Sequence, residues 1–362
     1  MAWMGRLLQP AVCALAVLGN AGCGQPPPAP AEVANTPALP EAEPSVPTPL
    51  TVLRYGLARL PPGLDPHIYP YAQPGILLNN VYETLVYLTG DGRLEPSLAA
   101  SWRVSADGLR YTFTLKRGVE FHDGTRFTAW AVKENLDRIA DPSTGSSTAS
   151  SLLQGYQGAV VMDQYTVQVR LDRPYPAFLK ALTQIYLGMA SPTAFRKWGR
   201  DEYQRHLAGT GPFRFVAEQY VPGKTIVLEK NQHYNWGPVS YRPNPPLYFG
   251  SGHDLNSSCQ KTHLIHDHTG PAYLDRVIFM SIPDPSARAR SLETGVVDAV
   301  DELSPAVATR LKKEGNYWIT ADGATFHGAH RTVNCLTYDA RGQSPYLYDT
   351  AFFFRWAGSS PR

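Results

Sequence analysis

The chain reads as an α/β body with mixed sheets, and three stretches of its 362 residues carry that reading. "SWRVSADGLRYTFTLK" (101–116) alternates, with Tyr111, Phe113 and Leu115 on one face and Arg110, Thr112 and Thr114 on the other. Asp107-Gly108 supplies the turn from the preceding strand. Residues 129–139 space Val132, Leu136 and Ile139 along one helical face, with Thr128 at the N-cap position. "LDRVIFMSI" (274–282) predicts a strand, and "DPSARARSLETG" (284–295) a short helix closed by Gly295. The strand signals come in hairpins and do not alternate regularly with helices, which favours mixed sheets over a plain doubly wound domain.

The remaining elements follow in order. "LTVLRYGLA" (50–58) predicts a strand that breaks at "RLPPGLDPH". A second Asp-Gly turn lies in "FHDGTRFT" (121–128), just ahead of the helix. "YTVQVRL" (165–171) alternates with Val167, Val169 and Leu171 on one face, and "PYPAFLKAL" predicts a helix from Pro176 onward. "GTGPFRFV" (209–216) is a glycine-bounded entry to a strand, and "VPGKTIVLEK" (221–230) a turn into another.

Ahead of this body lies an address. Arg6 precedes the apolar run Ala11–Leu18, too short for a membrane span, and small residues then lead to Cys23 in "LGNAGCGQ". Residues 1–23 therefore read as a signal peptide whose end is similar to the lipobox of bacterial lipoproteins. Asn20 departs from that pattern, which leaves plain secretion as the alternative to lipidation at Cys23. Residues 24–50 are rich in Pro, Ala and Glu without apolar periodicity, and read as an extended stalk. The formal charge of +2, without a basic block, argues against nucleic acid as a partner. Once the signal is removed and Cys23 is set aside, Cys259 and Cys335 remain, and in an oxidising compartment the pair suggests a disulfide.

"GLDPH" (63–67), the stretch 81–139, "GTGPF" (209–213) and "AYLDRVIFMSIPDPSARARSLETGVVDAV" (272–300) together resemble the bacterial extracellular solute-binding proteins of family 5. Within 81–139 the specific pieces are "YETLV", "EPSLAASW", "DGLRYTF" and "FHDG", in that order. The resemblance runs over roughly residues 51–350. It implies a periplasmic-binding-protein-like two-lobe fold of type II with an extra inserted subdomain. Residues 51–66 plus 207–320 would form lobe I, 67–206 the inserted subdomain, and 321–350 the crossing strand to lobe II. The tail at 351–362, "AFFFRWAGSSPR", departs from the family pattern, and the second lobe is expected to be largely missing.

The function so implied is capture without chemistry. The protein would be the substrate-binding component of an ABC importer, a monomer taking oligopeptides or a similar small solute to the permease subunits, with no cofactor. No G-x-S-x-G elbow or phosphate-cradling glycine loop supports an enzyme. By resemblance, Asp65, His67, Tyr82, Thr210 and Gly211 are the solute-contact candidates on the lobe I side. Each also has a structural reading (turn cap, inter-subdomain packing, backbone turn), and that reading is favoured.

One stretch stands outside this scheme. "HDLNSSCQKTHLIHDH" (253–268) lies in an insertion relative to the family between residues 237 and 272. His263, His266 and His268, with Cys259 as a soft fourth ligand, could surround a transition metal. The spacing matches no tight motif, and a polar loop pinned by a Cys259–Cys335 disulfide is the favoured reading. The alternative function is a surface lipoprotein that sequesters a metal through 253–268.

Overall fold

A computed structural model describes residues 51–69, 75–88, 92–237, 271–272, 274–322, 325–330, 337–338 and 345–346. Seven strands form the larger sheet. They are β1 (Val52–Leu57), β8 (Phe213–Phe215), β9 (Thr225–Lys230), β10 (Arg276–Ser281), β11 (Ala299–Leu303), β12 (Tyr317–Asp322) and β13 (Thr325–His330). Their order is β12-β13-β11-β1-β10-β9-β8. At the centre β1 runs parallel to β10, with Val52 opposite Arg276, and parallel to β11, with Tyr55 opposite Ala299. The flanking pairs are antiparallel, so the mixed sheet expected from the sequence is present.

Parallel strands need a crossover. Between β10 and β11 it is helix α6 (Pro285–Glu293), and α7 (Pro305–Glu314) follows β11. Both start the same way, with a capping side chain followed by proline. Asp284 accepts from the Ala287 amide at 2.6 Å and Ser304 from the Val307 amide at 3.4 Å. Such a cap satisfies an amide that the helix cannot, and proline at the first turn forfeits no hydrogen bond. Leu292 and Leu311 from these helices pack with Val300 and Leu303 on one face of the sheet. Gly56 of β1 faces this layer, where a Cβ would sit only 3.1 Å from Ile282 and 3.2 Å from Val300. The opposite face presents Leu53, Tyr55, Phe279 and Leu228 to a core continuous with that of the second sheet.

The second sheet is antiparallel, in the order β4-β5-β7-β6, from β4 (Ala99–Val104), β5 (Arg110–Leu115), β6 (Tyr156–Asp163) and β7 (Thr166–Leu171). A short hairpin, β2 (Val86–Leu88) with β3 (Leu94–Pro96), precedes it. Tyr111, Phe113, Leu115, Val167, Val169 and Leu171 are buried, as the alternation predicts. Gly108 has φ +68° at the Asp-Gly turn, the left-handed conformation that favours glycine there. Helix α2 (Ala129–Ala140) packs against β6 and β7 and buries Val132, Leu136 and Ile139.

Two local expectations change. Thr128 holds the N-cap backbone position of α2, but its side chain caps nothing. The helix expected from Pro176 is a single turn, α4 (Phe178–Ala181), because the chain is extended again by Gln184. The remaining α-helices among the described residues are the one-turn α1 (Gly75–Leu78), α3 (Ser147–Leu152) and α5 (Pro192–Glu202), the last capped by Ser191. Within the expected crossing span, β13 pairs with β11 and β12 in the larger sheet, and Thr337–Tyr338 pairs with Pro345–Tyr346.

Candidate functional site

The solute-contact candidates fall into two buried polar knots. In the first, Arg138 of α2 grips Asp65, with Nη2 to Oδ2 at 2.6 Å and Nη1 to Oδ1 at 3.2 Å. The same guanidinium donates to His67 Nδ1 at 2.7 Å, and His67 Nε2 donates to the Gly188 carbonyl at 2.8 Å. That pattern requires the neutral imidazole with its proton on Nε2. Burial accordingly lowers the His67 pKa to about 4. Tyr82 is equally buried, bonded to the Tyr203 hydroxyl at 2.9 Å, and burial raises its pKa.

The second knot centres on Glu83, which is not among those candidates. Its carboxylate accepts from Thr210 Oγ1 at 2.8 Å, Tyr234 OH at 2.9 Å and Trp236 Nε1 at 2.9 Å. Burial raises the Glu83 pKa despite these donors. Lys116 donates to the carbonyls of Trp236 and Gly237, both at 2.7 Å. Gly211 donates its amide to the Val81 carbonyl at 2.9 Å, and a Cβ there would lie 2.6 Å from the Asn80 carbonyl oxygen. The only signal that could have found Glu83 is a single carboxylate in the apolar run "VYETLV". All five candidates are thus buried and bonded to the protein's own groups. Cys23, Cys259, His263, His266, His268 and Cys335 lie outside the described residues. Among the described residues no cluster of three or more metal-type ligands occurs.

A different arrangement sits at the carboxyl ends of β1, β10 and β11. In open α/β sheets ligands bind outside the carboxyl ends of parallel strands. Arg288 of α6 is 1% exposed and spends its donors on strand-end carbonyls. Nε reaches Asp301 O at 2.9 Å, Nη1 reaches Ile282 O at 2.6 Å, and Nη2 reaches Glu302 O at 2.7 Å. One planar side chain therefore ties the end of β10 to the end of β11. Asp301 Oδ1 in turn accepts from the Ala58 amide just beyond β1, at 2.8 Å. Burial pushes the Asp301 carboxyl up to about 7. Glu302 has φ +45°, the one non-glycine residue with positive φ among the described residues. Such strain persists where the surroundings over-determine it, as the Arg288 fork does here. No sequence pattern marks this knot, because its acceptors are backbone carbonyls.

A groove of about 460 Å³ opens elsewhere, between α5 and β8–β9, lined among others by His122, Lys197, Trp198, Arg205, His206 and Arg214. None of its lining residues belongs to β1, β10 or β11. It is separate from the carboxyl edge.

Comparison with known proteins places this architecture. Residues 93–346 match the family model "Bacterial extracellular solute-binding proteins, family 5 Middle". The chain belongs to that family. The glutathione-binding protein GsiB of Shigella flexneri is 29% identical over 258 residues, covering 71% of this chain and 43% of that protein. Among solved structures, the periplasmic binding protein DppA of Helicobacter pylori, in complex with the peptide STSA, superposes with TM-score 0.59. It is 26% identical, with 74% of this chain and 50% of that chain covered. NikA from Brucella suis, in complex with Fe(III)-EDTA, gives TM-score 0.59 at 27% identity over 74% of this chain and 48% of that one. The chain thus spans about half the length of these relatives, and over that part it has the periplasmic-binding-protein fold.

Proposed function

We propose that this chain is the solute-capturing component of an ABC importer and holds a short peptide or peptide-like molecule against the carboxyl edge of β1, β10 and β11. The observation that carries the proposal is the Arg288 fork, which locks two strand ends together and holds Glu302 in a strained conformation. A receptor that encloses its ligand gains most when one wall is rigid beforehand, because less ordering remains to oppose binding. Support for peptide chemistry comes from the relatives, one called a glutathione-binding protein and one solved with the peptide STSA. The Fe(III)-EDTA complex of NikA widens the solute class to chelates.

In this reading Asp65, His67, Tyr82, Thr210 and Gly211 frame the binding region without touching solute. Residues 51–66 with 207–320 are lobe I, 67–206 the inserted subdomain, and 321–350 the passage toward a second lobe. The chain is exported, lipidated at Cys23, extended on residues 24–50, and acts as a monomer that delivers solute to permease subunits without altering it. His263, His266, His268 and Cys259 have no part in solute capture.

Thermal unfolding of the full chain with Ser-Thr-Ser-Ala or reduced glutathione tests this. At a hundredfold excess over Kd, binding stabilises by about 2.7 kcal/mol, and the melting point rises by several degrees in the presence of EDTA. No rise with either ligand, nor with a mixture of di- to pentapeptides, contradicts the reading.

A further inference from the structure

The outward face of the four-stranded sheet is basic in a way that its own packing does not explain. Strand register puts Arg110 of β5 directly opposite Arg170 of β7, and Arg103 of β4 opposite Thr112, one diagonal step from Arg110. All three arginines are exposed. Like charges directly opposite on a sheet destabilise it. The nearest relief is slight: Arg110 reaches Asp107 Oδ2 at 3.3 Å, and Arg170 reaches the neutral Gln168 at 3.3 Å. Ser101, Thr112, Thr114, Thr166 and Gln168 also lie on the face, and the only carboxylate on these strands is Asp163, at the end of β6. Asp163 accepts from the Tyr165 amide at 2.7 Å.

The edge strand of the same face is apolar. Val160, opposite Gln168, is 36% exposed and Met162 59% exposed. Clustered arginines beside exposed apolar side chains suit the interface of an anionic bilayer, where cations meet phosphates and apolar groups enter the acyl boundary. A soluble polyanion would use the arginines but leave Val160 and Met162 in water. We propose that this face docks on an anionic phospholipid surface through Arg103, Arg110 and Arg170, with Val160 and Met162 at the contact edge. The proposal is independent of the solute and of lipidation at Cys23.

The test is co-sedimentation of the chain freed of its signal peptide and carrying Cys23→Ser with vesicles of phosphatidylcholine containing about one-third phosphatidylglycerol, a composition chosen for strong surface charge. Each arginine near such a surface multiplies affinity roughly fivefold, so Arg103→Gln/Arg110→Gln/Arg170→Gln lowers vesicle affinity about a hundredfold. The control Arg200→Gln/Lys312→Gln/Lys313→Gln removes the same charge from exposed positions on α5 and α7 and leaves binding within a fewfold. Met162→Ser weakens binding with all charges kept. An unlowered melting point of the triple-arginine variant shows that the sheet is intact. Equal loss in both triple variants, equal binding to pure phosphatidylcholine, or an unaltered Met162→Ser variant overturns the proposal. So does wild-type retention on heparin, lost in the triple-arginine variant, with no vesicle binding, which would assign the face to a soluble polyanion.

Discussion

The two sheets of this protein handle arginine in opposite ways. At the end of the larger sheet, Arg288 of α6 is buried and its donors go to the carbonyls of Ile282, Asp301 and Glu302, with the Asp301 carboxylate 3.6 Å away. In the smaller sheet, Arg103, Arg110 and Arg170 stand in solvent on an open face. The contrast follows from topology. Three parallel strands covered on both faces leave their ends as the place for polar chemistry, whereas an antiparallel sheet can leave one face to water. A buried arginine fixes geometry. An exposed cluster advertises charge.

Perturbations should separate the two regions by size of effect. Arg288→Met strands the Asp301 carboxylate and the strand-end carbonyls, and is expected to cost about 3–5 kcal/mol in urea unfolding. Arg288→Lys should not restore it, since an ammonium cannot bridge both strand ends as a planar fork does. A loss below 1 kcal/mol would remove the distinction between the sheets. Phe113→Ala, in the core of the smaller sheet, should cost about 3–4 kcal/mol through its cavity. Gly211→Ala forces a methyl onto the Asn80 carbonyl and should cost about 1–3 kcal/mol.

Protonation gives a finer test, because the buried groups carry opposite signs. His67 has its folded pKa lowered to about 4 from 6.5, so its contribution to stability is lost as pH falls from about 6.5 to 4. Asp301 has its folded pKa raised to about 7 from 3.8, so its contribution is largest at low pH and is lost as pH rises through about 7. Across pH 4.5–6, His67→Gln should lower the slope of stability against pH by about 1 kcal/mol per pH unit. Asp301→Asn should shift the slope by a similar amount in the other direction. Equal slopes in both variants and the parent chain would show that neither group is buried in solution as described. At the small end, Arg110→Gln relieves the pair with Arg170 and should raise stability by a few tenths of a kcal/mol, read as a higher urea midpoint.

How much of this was legible beforehand depended on whether the signal was local. The hairpin faces of Tyr111, Phe113 and Leu115 and the buried stripe of α2 follow from period-two and period-3.6 patterning, and both are in place. Asn135 sits on the same buried stripe, which apolar periodicity could not anticipate. It is satisfied by the Ala190 backbone, donating at 2.8 Å and accepting at 3.0 Å. The parallel pairing of β1 with β10 joins residues more than 200 positions apart, and no local pattern encodes it. The same holds for the site. Motif residues such as Asp65 and Thr210 stood out as letters, but their partners Arg138 and Glu83 became visible only in three dimensions. In the sequence Arg288 is one charge in an ordinary helix, and its acceptors are brought to it only by the fold.

The most direct test of the central claim is an amide chemical-shift titration of the chain with Ser-Thr-Ser-Ala. A peptide held at the carboxyl edge should perturb the amides of Ala58, Glu302 and Ser304 first, while those of Trp198 and Phe215 in the groove beside α5 stay in place. Perturbation confined to that groove, with Ala58 and Glu302 unmoved at saturation, would contradict the account.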